Sequence, residues 1–201
     1  MILAYPLLKP VKKLKVFQPA DVNPKLVDES KRGVGADHQI ADFRLVNQLG
    51  DTIGPADFAG KVYVADFFFA TCPSICPIMS SHIAELQDHF KGESQVMFLS
   101  HSVTPQIDSV EALAAYAERY SANPEVWMLV TGDKQHIYEL ARKSYFAVLD
   151  EGDGGVQDFI HTENFILVDK KRRIRGFYDG TSEGDMNRLK NEIALLLEEE
   201  E

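Results

Sequence analysis

The stretch Lys61–Ala70 (KVYVADFFFA) is almost wholly apolar and rich in β-branched and aromatic side chains. A run of that kind suits a central strand covered on both faces, and such a strand needs layers of structure above and below it. It leads directly into Thr71-Cys72-Pro73-Ser74-Ile75-Cys76-Pro77. Ligands of open α/β sheets bind outside the carboxyl ends of the strands. The motif is therefore the first place to look for chemistry.

The remaining pattern alternates. Ile40, Phe43 and Leu45 precede a turn signal at Asn47–Asp51 and then Thr52-Ile53, which reads as a strand and hairpin. Ile78–Phe90 carries Ile83, Leu86 and Phe90 at helical spacing. Gln95–Ser100 reads as a buried strand. Asp108–Tyr120 reads as a helix that Asp108 can cap, with Glu111 three residues on. Glu125–Val130 is a third apolar strand, and Asp133 opens a helix running to Ser144. The end differs: Asn164–Val168, the basic turn Lys170–Arg173 and Ile174–Tyr178 predict an antiparallel hairpin, followed by an amphipathic helix over Met186–Leu197. The order is that of an α/β, thioredoxin-like fold: a central mixed sheet, helices on both faces and an N-terminal extension. Pro6, Pro10, Pro19 and Pro24 break regular structure near the start, so residues 1–36 read as an extended arm and 37–201 as one domain.

The two cysteines are the chain's only pair and stand four positions apart. A disulfide-stapled scaffold would spread more of them along the chain. At a strand end that opens a helix, the helix N-terminus stabilises negative charge and favours thiolate, the form that binds metal and attacks disulfides. Pro77 disfavours helical backbone at Cys76, which predicts an irregular turn over 72–76 and a helix beginning near Pro77. A C-x-x-C spacing would point more directly to redox chemistry; the extra residue favours metal.

Two thiolates need a further ligand. His82 and His89 lie seven apart on one helix face, His38 in the entry segment and His136 in a helix's first turn, and all four read as surface groups. His101, at the end of the neighbouring strand, is a reserve candidate. His161 follows the Gly-rich acidic loop Glu151–Gly155 and immediately precedes the hairpin. In a thioredoxin fold that junction lies beside the cysteine motif, and it carries no proline here. Two sulfurs and one imidazole are a soft donor set. Iron–sulfur clusters ask for about four cysteines and structural zinc for four protein ligands, so Cu(I) fits best, with Cu(II) open if a water or carboxylate joins.

A net charge of −10 argues against nucleic acid and against an anionic membrane surface as partners. No apolar run approaches the length of a membrane span, and Ile2–Leu8 is too short and too proline-broken for a signal peptide.

Asp66–Met79 (DFFFATCPSICPIM) resembles the signature of the Sco/SenC copper chaperones. Val103-Thr104-Pro105 with Asp108 resembles their S-V-D-P-x-x-D segment, and Asp158–Thr162 (DFIHT) the stretch bearing their metal histidine. Thr104 and Ile160 stand where many relatives have aspartate. The resemblance covers about Ala41–Leu197. It implies that Cys72, Cys76 and His161 bind copper, and that the protein helps build the dinuclear copper centre of cytochrome c oxidase subunit II. It also implies a periplasmic or cell-envelope domain tethered through an anchor outside this sequence. Asp158 is the candidate to orient His161.

Two functions from different classes use the same residues. One is a metallochaperone that passes copper on by ligand exchange. The other is a thiol-disulfide reductase in which one cysteine attacks and the other resolves. A peroxidase would want an arginine close to its cysteine, and none lies nearby in sequence.

Overall fold

The computed structural model describes residues 13–27, 37–148, 155 and 157–199. The apolar run becomes β3 (Val62–Phe68), buried at every position and set near the middle of a seven-stranded sheet. The other strands are β1 (Leu45–Asn47), β2 (Thr52–Ile53), β4 (Val96–Ser102), β5 (Trp127–Thr131), β6 (Asn164–Val168) and β7 (Ile174–Asp179). Their order is β2-β1-β5-β4-β3-β6-β7. β3, β4 and β5 are mutually parallel, and β1 and β6 flank them antiparallel. This is the mixed α/β sheet expected from the sequence.

Among the described residues, four α-helices complete the fold: α1 (Ile75–His89), α2 (Val110–Arg119), α3 (Lys134–Glu139) and α4 (Glu183–Glu198). Moving from β3 to β4 to β5 steps the chain sideways in one direction. Right-handed crossovers then place α1 and α2 on the same face. The core follows: Val62, Val64 and Phe68 pack with Met79, Ile83 and Leu86 of α1, Leu113 of α2 and Leu189 of α4. The alternate residues Tyr63, Ala65 and Phe67 face the other way, onto Ile137 and Leu140 and onto the entry residues Ile40, Phe43 and Phe58.

Several local expectations shift. Ile40 and Phe43 are buried, but the strand begins only at Leu45. Helix α1 starts at Ile75 rather than near Pro77; Pro77 falls in its first turn, where an amide hydrogen would have no intrahelical partner anyway. The cap of α2 is Ser109, whose hydroxyl accepts from the Ala112 amide at 3.3 Å, not Asp108. Asp133 does cap α3, accepting from the His136 amide at 2.8 Å, but regular helix ends at Glu139 and a π turn occupies Leu140–Ser144.

Within the arm, residues 13–27 contain two short 3-10 turns, each opened by a proline, at Pro19–Asp21 and Pro24–Leu26. They lie against the domain: the Phe17 amide donates to the Ile174 carbonyl at 2.8 Å, and Arg175 donates to the carbonyls of Leu14 and Lys15. Residues 1–12, 28–36 and most of the Glu151–Gly155 loop lie outside the described residues. Of the basic turn, Arg172 pairs with Asp42 and Arg173 joins Arg175 on Asp169.

Candidate metal centre

Cys72 follows β3 and Cys76 sits in the first turn of α1, both as free thiols with 7% and 3% exposure. Ser74 begins the helix without a side-chain cap. The Cys72 sulfur lies 3.8 Å from the Ser74 hydroxyl. Burial pushes the Cys72 thiol up, but stabilisation of its thiolate by the Cys76 thiol, the backbone at Ser74 and Cys76 and the Ser74 hydroxyl outweighs it, and its pKa ends below the ordinary thiol value. Burial, with the neighbouring Cys72 sulfur, pushes Cys76 up to about 12. The pair thus divides into a thiolate-forming sulfur and a protonated donor beside it.

The cysteine loop is braced from beneath. Asp108, fully buried, accepts from Ser102 Oγ at 2.6 Å, Thr104 Oγ1 at 3.0 Å and the Ala70 amide at 3.2 Å. It ties the segment before Cys72 to the end of β4. On the α1 face of β3, Asp66 is buried and accepts from Ser100 Oγ at 2.5 Å; Ser100 in turn accepts from Trp127 Nε1 at 2.9 Å. Burial drives the Asp66 carboxyl up to about 7, against the Ser100 hydrogen bond. When ionised, the Asp66 carboxylate adds to the upward push on Cys76. Neither aspartate stood out as a buried group in the sequence, although an acid inside an apolar strand is the available signal for Asp66.

His161 lies just before β6, at the same sheet edge as the cysteines, with an exposed side chain. Among the described residues, no three His, Cys, Asp or Glu side chains stand close enough to hold one ion. The two sulfurs are together; the imidazole is on the adjoining loop and is not joined to them. Asp158 is engaged elsewhere: its carboxylate receives Arg142 Nη1 at 2.7 Å and Nη2 at 2.8 Å. Its carbonyl receives Lys134 Nζ at 2.7 Å and the Tyr138 hydroxyl at 3.2 Å. These contacts anchor the loop that bears His161 instead of the imidazole itself. Phe159, between them, packs edge-on against Phe69, with ring centroids 5.2 Å apart.

The other histidines are placed away from the sulfurs or bonded elsewhere. His101 is fully buried on the opposite sheet face, stacked on Phe67, with Nδ1 donating to the Asp66 carbonyl at 3.1 Å. Burial lowers its pKa to about 4, and its Nε2 has no hydrogen-bond partner. His38 Nε2 bonds the Ser144 carbonyl and His82 Nδ1 the Gly180 carbonyl, each at 2.8 Å.

The family model for SCO1/SenC matches residues 32–198. The SCO1 protein homolog of Bacillus subtilis (strain 168) is 33% identical over 145 residues, 71% of this chain and 75% of that protein. The solved structure of BsSco, described as a member of the Sco family of cytochrome c oxidase assembly proteins with a disulfide switch, is 30% identical. It superposes with a TM-score of 0.68 over 80% of this chain and 94% of that one. Arabidopsis thaliana ScoI, solved with copper bound, shares the fold at a TM-score of 0.63 and 23% identity, over 79% of this chain and 98% of that one.

Proposed function

Because the chain belongs to the SCO1/SenC family, we propose that it is a copper-binding protein of cytochrome c oxidase assembly, holding one copper ion through Cys72, Cys76 and His161. One observation carries the reading: two free thiols lie at the start of α1, Cys72 just before it and Cys76 in its first turn, with no other cysteine in the chain to pair with. Both sulfurs are soft donors that favour Cu(I). Binding the ion displaces the Cys76 proton, since the ligand form is the thiolate. His161, exposed on the adjoining loop just before β6, is the third ligand of this reading. The copper is cargo: an acceptor thiolate enters the open coordination position before a donor sulfur leaves, and no electron is exchanged. The acceptor we assign is the dinuclear copper site of cytochrome c oxidase subunit II. The domain works in the cell envelope; among the described residues no helix is long and apolar enough to cross a membrane.

A second reading uses the same thiols as a reductase, and the contrast between Cys72 and Cys76 favours it. The Cys72 thiolate attacks an acceptor disulfide and releases one acceptor thiolate. Cys76, once deprotonated, attacks Cys72 and releases the other. The acceptor gains two electrons and this chain ends with a Cys72–Cys76 disulfide.

Anaerobic titration of the reduced protein with Cu(I) tests the first reading, with Cys72→Ala, Cys76→Ala and His161→Ala alongside. One tightly bound copper per chain, weakened by each substitution, is the expected result. No tight copper, with a readily cycling dithiol, transfers the assignment to the reductase. Unchanged affinity in His161→Ala removes that residue from the ligand set.

A further inference from the structure

Resting on the copper-transfer reading of the cysteine pair, we propose that the sheet edge around it is a docking face for a thiol-bearing protein segment with an apolar tip and a basic surround. β3, β4 and β5 run parallel, and β7, antiparallel to β6, which is itself antiparallel to β3, runs with them. The helices that follow these four strands all begin at one edge, which is the edge that carries Cys72 and Cys76.

The centre of this edge is apolar and uncharged. Segments 69–78 (FATCPSICPI) and 101–107 (HSVTPQI) contain no acidic residue, lysine or arginine, in a chain of net charge −10. Three large apolar side chains are exposed there: Ile78 at 46%, Ile107 at 63% and Phe159 at 51%. Each is linked to the cysteine loop. Ile78 follows Cys76 by two residues, Ile107 adjoins the Asp108 that receives the Ala70 amide, and Phe159 packs on Phe69. Scattered exposed apolar residues need no explanation, but these three all lie on segments that carry or brace the donors, at one edge of the sheet.

The surround is acidic. Glu111 and Glu183 lie in the first turns of α2 and α4, Asp133 caps α3, and Glu163 precedes β6; all four are exposed. Attraction to helix N-termini accounts for three of them, though not for Glu163 or for the apolar centre. The nearby cations Lys134 and Arg142 are held by the 155–158 loop. A neutral apolar centre inside a carboxylate rim is complementary to an apolar tip flanked by lysine or arginine. Copper transfer by ligand exchange requires such direct contact between the sulfurs of the two proteins.

The test uses the reduced, copper-free protein and two fluorescein-labelled peptides. They share one apolar, serine-containing centre without cysteine, so that neither metal nor disulfide contributes, and carry either lysine or glutamate flanks. By anisotropy, the lysine-flanked peptide should bind at least about tenfold more tightly at low salt, with the advantage shrinking as salt screens the rim. Ile107→Ser and Phe159→Ser should each weaken it several-fold, with unchanged circular dichroism. Equal affinity for both peptides, no binding of either, or indifference to both substitutions overturns the docking face. The Cu(I) titration separates the two ideas: peptide binding without copper binding leaves this face standing and removes the chaperone reading, and the reverse does the opposite.

Discussion

Arg142 and Asp158 form a bidentate ion pair, with Nη1–Oδ2 at 2.7 Å, Nη2–Oδ1 at 2.8 Å and side chains only 7% and 8% exposed. The π turn at Leu140–Ser144 turns Arg142 inward, and the pair clamps the segment that leads to His161. Removing one partner leaves a buried charge alone, which costs roughly 3–5 kcal/mol. Arg142→Met should therefore lower the urea midpoint markedly, and adding Asp158→Leu should recover part of the loss. Strictly additive effects in this double-mutant cycle would mean that the pair is not coupled.

The two thiols should react at different rates. Cys72 lies below the ordinary thiol pKa, while Cys76 is pushed up to about 12. Brief iodoacetamide treatment of the reduced protein at neutral pH, read by peptide mass spectrometry, should label Cys72 more than about tenfold faster, because only the thiolate attacks. Cys76→Ala removes one of the hydrogen bonds that stabilise the Cys72 thiolate, so the Cys72 pKa should rise. Equal labelling of the two in the folded protein would contradict this division.

Asp66 makes stability depend on pH in an unusual direction. Burial raises its carboxyl from 3.8 to about 7. Between those values the folded protein keeps a proton that the unfolded chain releases. This contribution is thus fully present below about pH 4, fades as pH rises through about 7, and is absent above. Asp66→Asn keeps an acceptor for Ser100 and has no charge to bury. Urea unfolding from pH 4 to 8 should show a flatter profile for the variant and higher stability at pH 8, by an amount on the order of a few kcal/mol. Parallel profiles for the two proteins would refute it.

Arg175 holds the arm to the domain. It is buried, donates to the carbonyls of Leu14 and Lys15, and pairs with Asp169 and Glu199. Arg175→Gln should release residues 13–17 before the domain opens. Trypsin should then cut after Lys15 faster in the variant under native conditions, with the rest of the chain still protected. Cleavage at the wild-type rate would show that Phe17 and its bond to Ile174 suffice.

The strands and helices were legible because each is encoded by neighbours in the chain. The all-apolar β3, the helical spacing of Ile83 and Leu86, and the capping Asp133 act within a few residues of themselves. The sulfur pair was legible for the same reason, since four positions at a strand-to-helix junction bring Cys72 and Cys76 together. The misplacements involve one-residue decisions. Pro77 is accepted in the first turn of α1, and Ser109 takes the capping role because Asp108 is drawn inward by Ser102, Thr104 and the Ala70 amide.

From the sequence alone follow the α/β order, the central strand and the position of the thiols at its carboxyl end, since periodicity and motif spacing are local properties. Only the tertiary structure decided which groups each side chain meets. His101 is turned to the opposite face by strand alternation, Asp66 is enclosed with Ser100 and Trp127, and Asp158 is claimed by an arginine sixteen residues earlier. Such pairings depend on the packing of segments far apart in the chain, where burial strengthens a charge's demand for a partner and geometry selects which partner is within reach.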